Sequence, residues 1–170
     1  MQIQIDSREH KKERERICKQ FDTLGIQYFI SKLYCGDYQC LDNARLVVDR
    51  KKDLQELCGN VTAQHERFKA ELVHAQEVGI KIVILCEHGE GIKQLADVAK
   101  WDNPRRHIMT TKVINGKRRP YPKYPYATTG TALYKSLVTM HERYDVDFVF
   151  CNKKETGKMI ASILGGEGYG

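Results

Sequence analysis

Gly36-Asp37-Tyr38-Gln39-Cys40-Leu41-Asp42-Asn43-Ala44-Arg45-Leu46-Val47-Val48-Asp49-Arg50-Lys51 reads as two strands folded back on each other. Arg45 to Arg50 is rich in β-branched residues, and Asp42-Asn43-Ala44 is a turn signal. Tyr38 to Leu41 is then the partner strand. Side chains alternate faces along a strand, so Asp49 and Lys51 share one face, roughly 6–7 Å apart. The hairpin carries Asp37 from the far end of the partner strand to the neighbourhood of Asp49. Two carboxylates in that position suit Mg²⁺ or Mn²⁺, hard ions that prefer oxygen and keep several waters. Such an ion activates water and offsets charge on a phosphodiester under attack. Lys51 is placed to orient that water or to stabilise the developing negative charge. An acid-x-lysine alone is commonly an ordinary charged strand end; the combination with Asp37 gives it meaning.

The surrounding sequence supplies a frame. Gln2-Ile3-Gln4-Ile5 alternates polar and apolar and predicts a first strand, running into Asp6-Ser7-Arg8-Glu9. Active groups in α/β layouts gather where strands end, which puts Asp6, Arg8 and Glu9 at the expected place. The competing reading is a polar helix entry capped by Ser7. Periodicity predicts a helix over 11–24, a strand over 27–33, a helix over 64–78 capped by Thr62, and a buried strand at Ile82-Val83-Ile84-Leu85. A short helix over 91–99, a helix over 131–143 and a strand over 147–151 follow. Asn152 and Glu155 predict a capping box for a last helix over 153–164, stopped by Gly165-Gly166. Glu167 to Gly170 is read as a frayed tail. Strands alternating with helices indicate a single α/β domain over 1–170.

Ile5-Asp6-Ser7-Arg8-Glu9, Gly36-Asp37-Tyr38 and Val48-Asp49-Arg50-Lys51 together resemble the nuclease domain of the XPF-type structure-specific endonucleases. The pattern of that family is a Gly-Asp followed by Glu-Arg-Lys-x-x-x-Asp, on a restriction-endonuclease-like fold. Glu66-Arg67-Phe68 ahead of the strand Lys81 to Glu87, and Phe148 to Cys151 ahead of the last helix, extend the likeness over 2–96 and 127–164. The resemblance implies a central mixed sheet flanked by helices, and Mg²⁺- or Mn²⁺-dependent cleavage of flaps, forks or junctions. It implies catalytic roles for Asp6, Arg8, Glu9, Asp37, Asp49 and Lys51, with Asp6, Asp37 and Asp49 as metal ligands, Asp6 as a further ligand or an orienting acid. Arg50 is expected to shape the site and contact phosphate, and Arg67 to lie near it and contact DNA. Position 49 is Asp where the family usually has Glu, one methylene longer. The last motif Asp falls on Gln55, with Glu56 beside it, and that outer role is left unassigned. The family also contains inactive subunits, and related folds carry restriction-type and junction-resolving nucleases. A binding subunit or a structural protein of a larger assembly is therefore the alternative. Cellular members append helix-hairpin-helix modules. None occurs before Gly170, so specificity is expected from the chain's own surface, a homodimer or a heteromeric partner.

Charge is distributed unevenly. From Asn103 to His141 no acidic residue occurs, while Arg105, Arg106, Lys112, Lys117, Arg118, Arg119, Lys123 and Lys135 give +8 against a chain total of +6. The remainder is therefore −2, and the positive field is local, as a nucleic-acid footprint is. Lys117 to Tyr126 interleaves cations, tyrosines and three of the four prolines. It reads as an inserted, irregular loop at about 100–127. Lys117, Arg118, Arg119 and Lys123 are expected to pair with phosphates, and Tyr124 to stack on unpaired bases of branched or partly single-stranded DNA. The competing reading is a solvated loop, or one whose tyrosines pack on the domain.

Composition bounds the rest. Hydrophobic content of 41% is ordinary for a globular chain. No apolar run approaches the ~20 residues of a membrane span, and no signal-peptide pattern opens the chain. Six cysteines without a Cys-x-x-Cys pair argue against a zinc module and for free thiols in a reducing, intracellular compartment, cytoplasmic for a bacterial or phage protein. His65, His74, His88 and His141 lack metal-ligand spacing. Gly89-Glu90-Gly91 lacks the ending of a phosphate loop and reads as a turn.

Overall fold

The computed structural model describes residues 1–89 and 91–166. The predicted turn at Gly89-Glu90-Gly91 falls partly outside them, and the predicted tail wholly so.

Strand β1 (Gln2–Asp6) leads through a tight turn into helix α1 (Lys11–Thr23) and returns as β2 (Gln27–Ser31). The predicted hairpin follows as β3 (Tyr38–Cys40) and β4 (Asn43–Lys51). Helices α2 (Leu54–Val61) and α3 (His65–Glu77) precede β5 (Lys81–Cys86). After the insertion come α4 (Gly130–Tyr144), β8 (Asp147–Phe150) and α5 (Thr156–Gly165). The main sheet has the order β2-β1-β3-β4-β5-β8. β3 is antiparallel to β1 and β4, whereas β1–β2, β4–β5 and β5–β8 are parallel. This is the central mixed sheet expected from the resemblance.

Alternation along the central strands divides the core into two layers. Val47, Ile82, Ile84 and Cys86 face α2, α3 and α4, where Leu57, Phe68, Leu72, Leu133 and Leu137 complete the packing. Val48, Val83 and Leu85 face α1 and α5, against Ile17, Phe21, Ile160 and Ile163. Truncating a fully buried member such as Leu137 to Ala costs about 2–5 kcal/mol. Both layers are continuous across the sheet, so the polar strand ends sit on a rigid platform. Among the described residues, no helix is long and apolar enough to cross a membrane. All six cysteines are free.

Four local expectations are corrected. Helix α2 was not anticipated; Asp53 starts it, its Oδ1 accepting from the Glu56 amide at 2.8 Å. Thr62 ends that helix rather than capping the next, its hydroxyl donating to the Cys58 carbonyl. The last helix begins at Thr156 with Glu155 at its cap, so the Asn152 capping box does not form. The segment read as an irregular loop contains a β-hairpin, β6 (Met109–Ile114) and β7 (Lys117–Pro122). Its turn is Asn115-Gly116, both with positive φ (51° and 73°), as a two-residue hairpin turn requires. Counting from that turn, Pro120 and Pro122 occupy positions whose N–H would point away from β6, so their missing donors cost the ladder nothing.

Candidate active site

Asp37 joins three strand ends through its own backbone and side chain. Its amide donates to the Val48 carbonyl at 2.9 Å, and its carbonyl accepts from the Asp6 amide at 2.8 Å. Its Oδ2 accepts from the Arg50 amide at 2.8 Å. Gly36 makes this geometry available: its φ is +66°, and a Cβ there would lie 3.2 Å from Val47 and from the Val48 carbonyl. The Gly-Asp pair is thus a backbone requirement as well as a chemical one.

Asp49 and Lys51 project from β4 toward α3, on the face shared with Val47. Lys51 Nζ lies 2.7 Å from Asp49 Oδ2 and 5.9 Å from the centre of the Phe68 ring. Burial opposes the charge on Lys51, yet Asp49 outweighs it and raises the lysine above its usual range, so the ammonium persists at neutral pH. Burial, the Asp49 charge and the Glu9 charge push the Asp37 carboxyl well above the ordinary carboxylate range. The same two causes, burial and Asp49, raise Glu71 of α3. Glu71 is a site residue the sequence reading missed; nothing marks it except its place one turn after Arg67.

These groups open onto one cleft of about 760 Å³, lined by Asp37, Asp49, Lys51, Arg67 and Glu71 among others. Arg67 is exposed at its edge. Among the described residues, no three His, Cys, Asp or Glu side chains form a ready metal cage. The donor set still fits Mg²⁺ or Mn²⁺. Such ions take one or two carboxylates and fill their remaining positions with waters and phosphate oxygens. Burial is the first cause of the raised Asp37 carboxyl and the Asp49 charge the second, with Lys51 opposing both.

Alternation sends Arg50 to the opposite layer, with Val48. Its side chain is 6% exposed and is held by Glu9 (Nη2 to Oε1, 2.9 Å) and by Glu87 (Nη1 to Oε2, 3.1 Å). Both ends of the guanidinium are thus engaged by glutamates, while Arg50 lines the same cleft as Asp37 and Asp49. Glu87 also accepts from Arg16 and from the Thr156 hydroxyl, tying α1 and α5 to the strand ends. Glu9 accepts from Arg50 and the His10 amide, and so belongs to this buried network. Asp6 is 1% exposed and accepts from the Arg8 amide and guanidinium and from the Leu33 amide at 3.2 Å. Burial opposes its ionisation, but these hydrogen bonds prevail and hold Asp6 below its usual range. Arg8 reaches on to the Leu33 carbonyl at 3.0 Å.

Lys117, Arg118, Arg119, Lys123 and Tyr124 are exposed on the hairpin and its continuation, and none lines the cleft. The structure thus separates the candidate site residues into three groups. Asp37, Asp49, Lys51, Arg67 and Glu71 face the cleft. Asp6, Arg8, Glu9 and Arg50 also line it, held in ion pairs with one another or with Glu87. The basic hairpin stands apart.

Comparison with known proteins identifies the family and the fold. Residues 5–163 match the model of the ERCC4 domain family. Two solved structures share the fold. XPF from Aeropyrum pernix in complex with DNA has a TM-score of 0.62 and 18% identity, covering 96% of this chain and 63% of that one. XPF from Aeropyrum pernix has a TM-score of 0.63 and 19% identity, with 97% and 60% coverage. The chain thus spans about three-fifths of the length of these structures. The comparison with curated proteins gives no match.

Proposed function

The chain belongs to the ERCC4 domain family, that of the XPF-type structure-specific DNA nucleases, and from this premise we propose that it is a metal-dependent endonuclease cleaving branched DNA. The observation that carries this reading is the meeting of Asp37 and Asp49 at an open cleft, with Lys51 Nζ 2.7 Å from Asp49. A non-catalytic subunit would have no need of all three groups together.

Asp37 and Asp49 would hold Mg²⁺ or Mn²⁺, which when bound supplies an activated water and a counter-charge for the phosphate oxygens. The reaction is attack of water oxygen on phosphorus with loss of the sugar oxygen. Lys51 faces the phosphate as a standing positive charge and offsets the negative charge that grows on its oxygens. Being held protonated by Asp49, Lys51 serves as an electrostatic group rather than as a base. Asp6 acts as an orienting acid: through its amide and its Arg8 pair it fixes the end of β1 against Asp37. Glu9 and Arg50 keep β4 and the turn after β1 in register. Arg67 supplies a phosphate contact at the cleft edge.

Labelled duplex, 3′-flap, splayed-arm and four-way-junction DNA, incubated with the protein in Mg²⁺, Mn²⁺ or EDTA, tests the reading. Cutting near branches that requires metal supports it. Branched DNA bound but uncut in either metal would replace it with a binding subunit. Sequence-dependent cuts in plain duplex, or symmetric paired nicks at junctions, would assign a restriction-type or junction-resolving activity instead.

A further inference from the structure

The hairpin formed by β6 and β7 is exposed along both strands except at the half-buried Tyr121 and Pro122, and its extensive contacts are between those strands. An isolated two-stranded ribbon is marginal in water, so its sequence is shaped by more than the packing of the domain. Its register sorts the side chains onto two faces. Thr110, Lys112 and Ile114 share one face with Lys117, Arg119 and Tyr121. Met109, Thr111 and Val113 share the other with Arg118, Pro120 and Pro122. Three cations therefore stand on one side of the ribbon, in a stretch with no acid from Asn103 to His141.

We propose that this ribbon is an arm for double-stranded DNA, laying the Lys112–Lys117–Arg119 face into a groove of a duplex flank of the substrate. The inference rests on the reading that the chain acts on DNA. A two-stranded β-ribbon is one of the few elements that fits the major groove, about 12 Å wide. Six residues per strand reach about 20 Å, more than half a turn of duplex. The ring faces argue for duplex over single strand. Lys112 Nζ sits 4.0 Å from the centre of Tyr121, and Tyr124 is flanked by Arg105 at 5.5 Å and Lys123 at 5.4 Å. These tyrosines aim cations rather than offering bare platforms to unpaired bases. That departs from the stacking role expected for Tyr124. The base of the arm is fixed. Asn103, 1% exposed, accepts from the Arg105 amide and donates from Nδ2 to the Thr128 carbonyl at 2.8 Å. The arm presents phosphate-binding charge at a site separate from the cleft.

The test is a salt series of binding to an unbranched duplex and to a single strand of the same sequence, in EDTA. The Lys112→Ala/Lys117→Ala/Arg119→Ala variant should bind duplex about tenfold or more weakly at low salt. Its slope of log affinity against log salt should fall by about two to three, one phosphate per cation. Met109→Ser/Val113→Ser, on the other face, should keep the wild-type slope. A charge-preserving Lys112→Arg/Lys117→Arg/Arg119→Lys variant should bind as wild type, separating lost charge from a disturbed hairpin. An unchanged slope in the alanine variant, equal loss in the opposite-face variant, or loss confined to single strands would overturn the arm. Wild-type protein that shows the predicted slope yet cuts nothing in Mg²⁺ or Mn²⁺ would overturn the nuclease reading and leave the arm standing.

Discussion

The Arg50 amide donates to Asp37 Oδ2 at 2.8 Å, so the two acidic segments of the cleft are fastened to each other by the main chain. One oxygen of Asp37 is spent on this clasp, and the other is left for chemistry. Pre-organisation of this kind keeps catalytic groups from having to rearrange as charge develops.

Asp49→Asn removes a ligand charge without adding bulk. Its cleavage rate is expected to fall by about 10³-fold or more, with DNA affinity in EDTA within severalfold of wild type. Single-turnover cleavage beside a binding titration checks both. Asp49→Glu, restoring the acid usual in the family, should remain active. A folded but dead Glu variant would mean that the cleft has closed around the shorter side chain.

Asp37 gives a pH prediction of definite sign. Its folded pKa is raised by burial and by Asp49, so between the unfolded and folded values the folded state retains a proton that the unfolded chain has released. The resulting stabilisation is full below the unfolded carboxylate value and is lost as pH rises through the folded one. Metal-free Asp37→Asn should therefore melt a few degrees above wild type at neutral pH, with the gap closing as pH falls. Thermal melts in EDTA across pH measure this, and a gap that widens on acidification would refute it. Metal affinity of wild type should rise with pH over the same window, since the ion competes with that proton.

Arg50→Ala separates bracing from phosphate contact. Removing one partner of a buried ion network costs about 3–5 kcal/mol, because Glu9 loses its cation and Glu87 keeps only Arg16. Urea denaturation should show that loss. A phosphate contact would instead leave stability unchanged and lower the salt slope of DNA binding by about one.

Gly36→Ala tests the turn that places Asp37. A side chain at φ +66° with backbone and Val47 at 3.2 Å should cost about 1–2 kcal/mol and displace the acid. Turnover should fall more than DNA affinity does. Equal, small effects on both would show that the turn tolerates the change.

Much of the site was legible because strand periodicity fixes direction. Asp49 and Lys51 share a face by spacing alone, and Asp37 meets them once the hairpin is drawn. The same rule sends the Arg50 side chain to the opposite layer, toward Glu9 and Glu87. Glu71 and Glu87 were not legible, because nothing local marks them. Glu71 meets Asp49 through packing of α3 on the sheet, and Glu87 meets Arg50 through the parallel pairing of β5 with β4. The hairpin in the insertion was hidden by its prolines, although Asn115-Gly116 is a strong turn signal and two prolines spaced by two can share an outward edge. Helix α2 was too short for periodicity to expose and is marked only by Asp53 and Glu56.

Where the insertion leaves and rejoins the domain, Gly130 packs so closely on Val98 and Trp101 that a Cβ would stand 2.4–2.8 Å from their backbone atoms. Together with the Asn103–Thr128 bond, this brings both ends of the excursion to one point on the surface. The chain between them is consequently an excursion from a closed base, its strands in contact mainly with each other. With the proposed arm and the proposed nuclease, duplex grip and cutting would reside in separate parts of the chain, one in the excursion and the other at the strand ends.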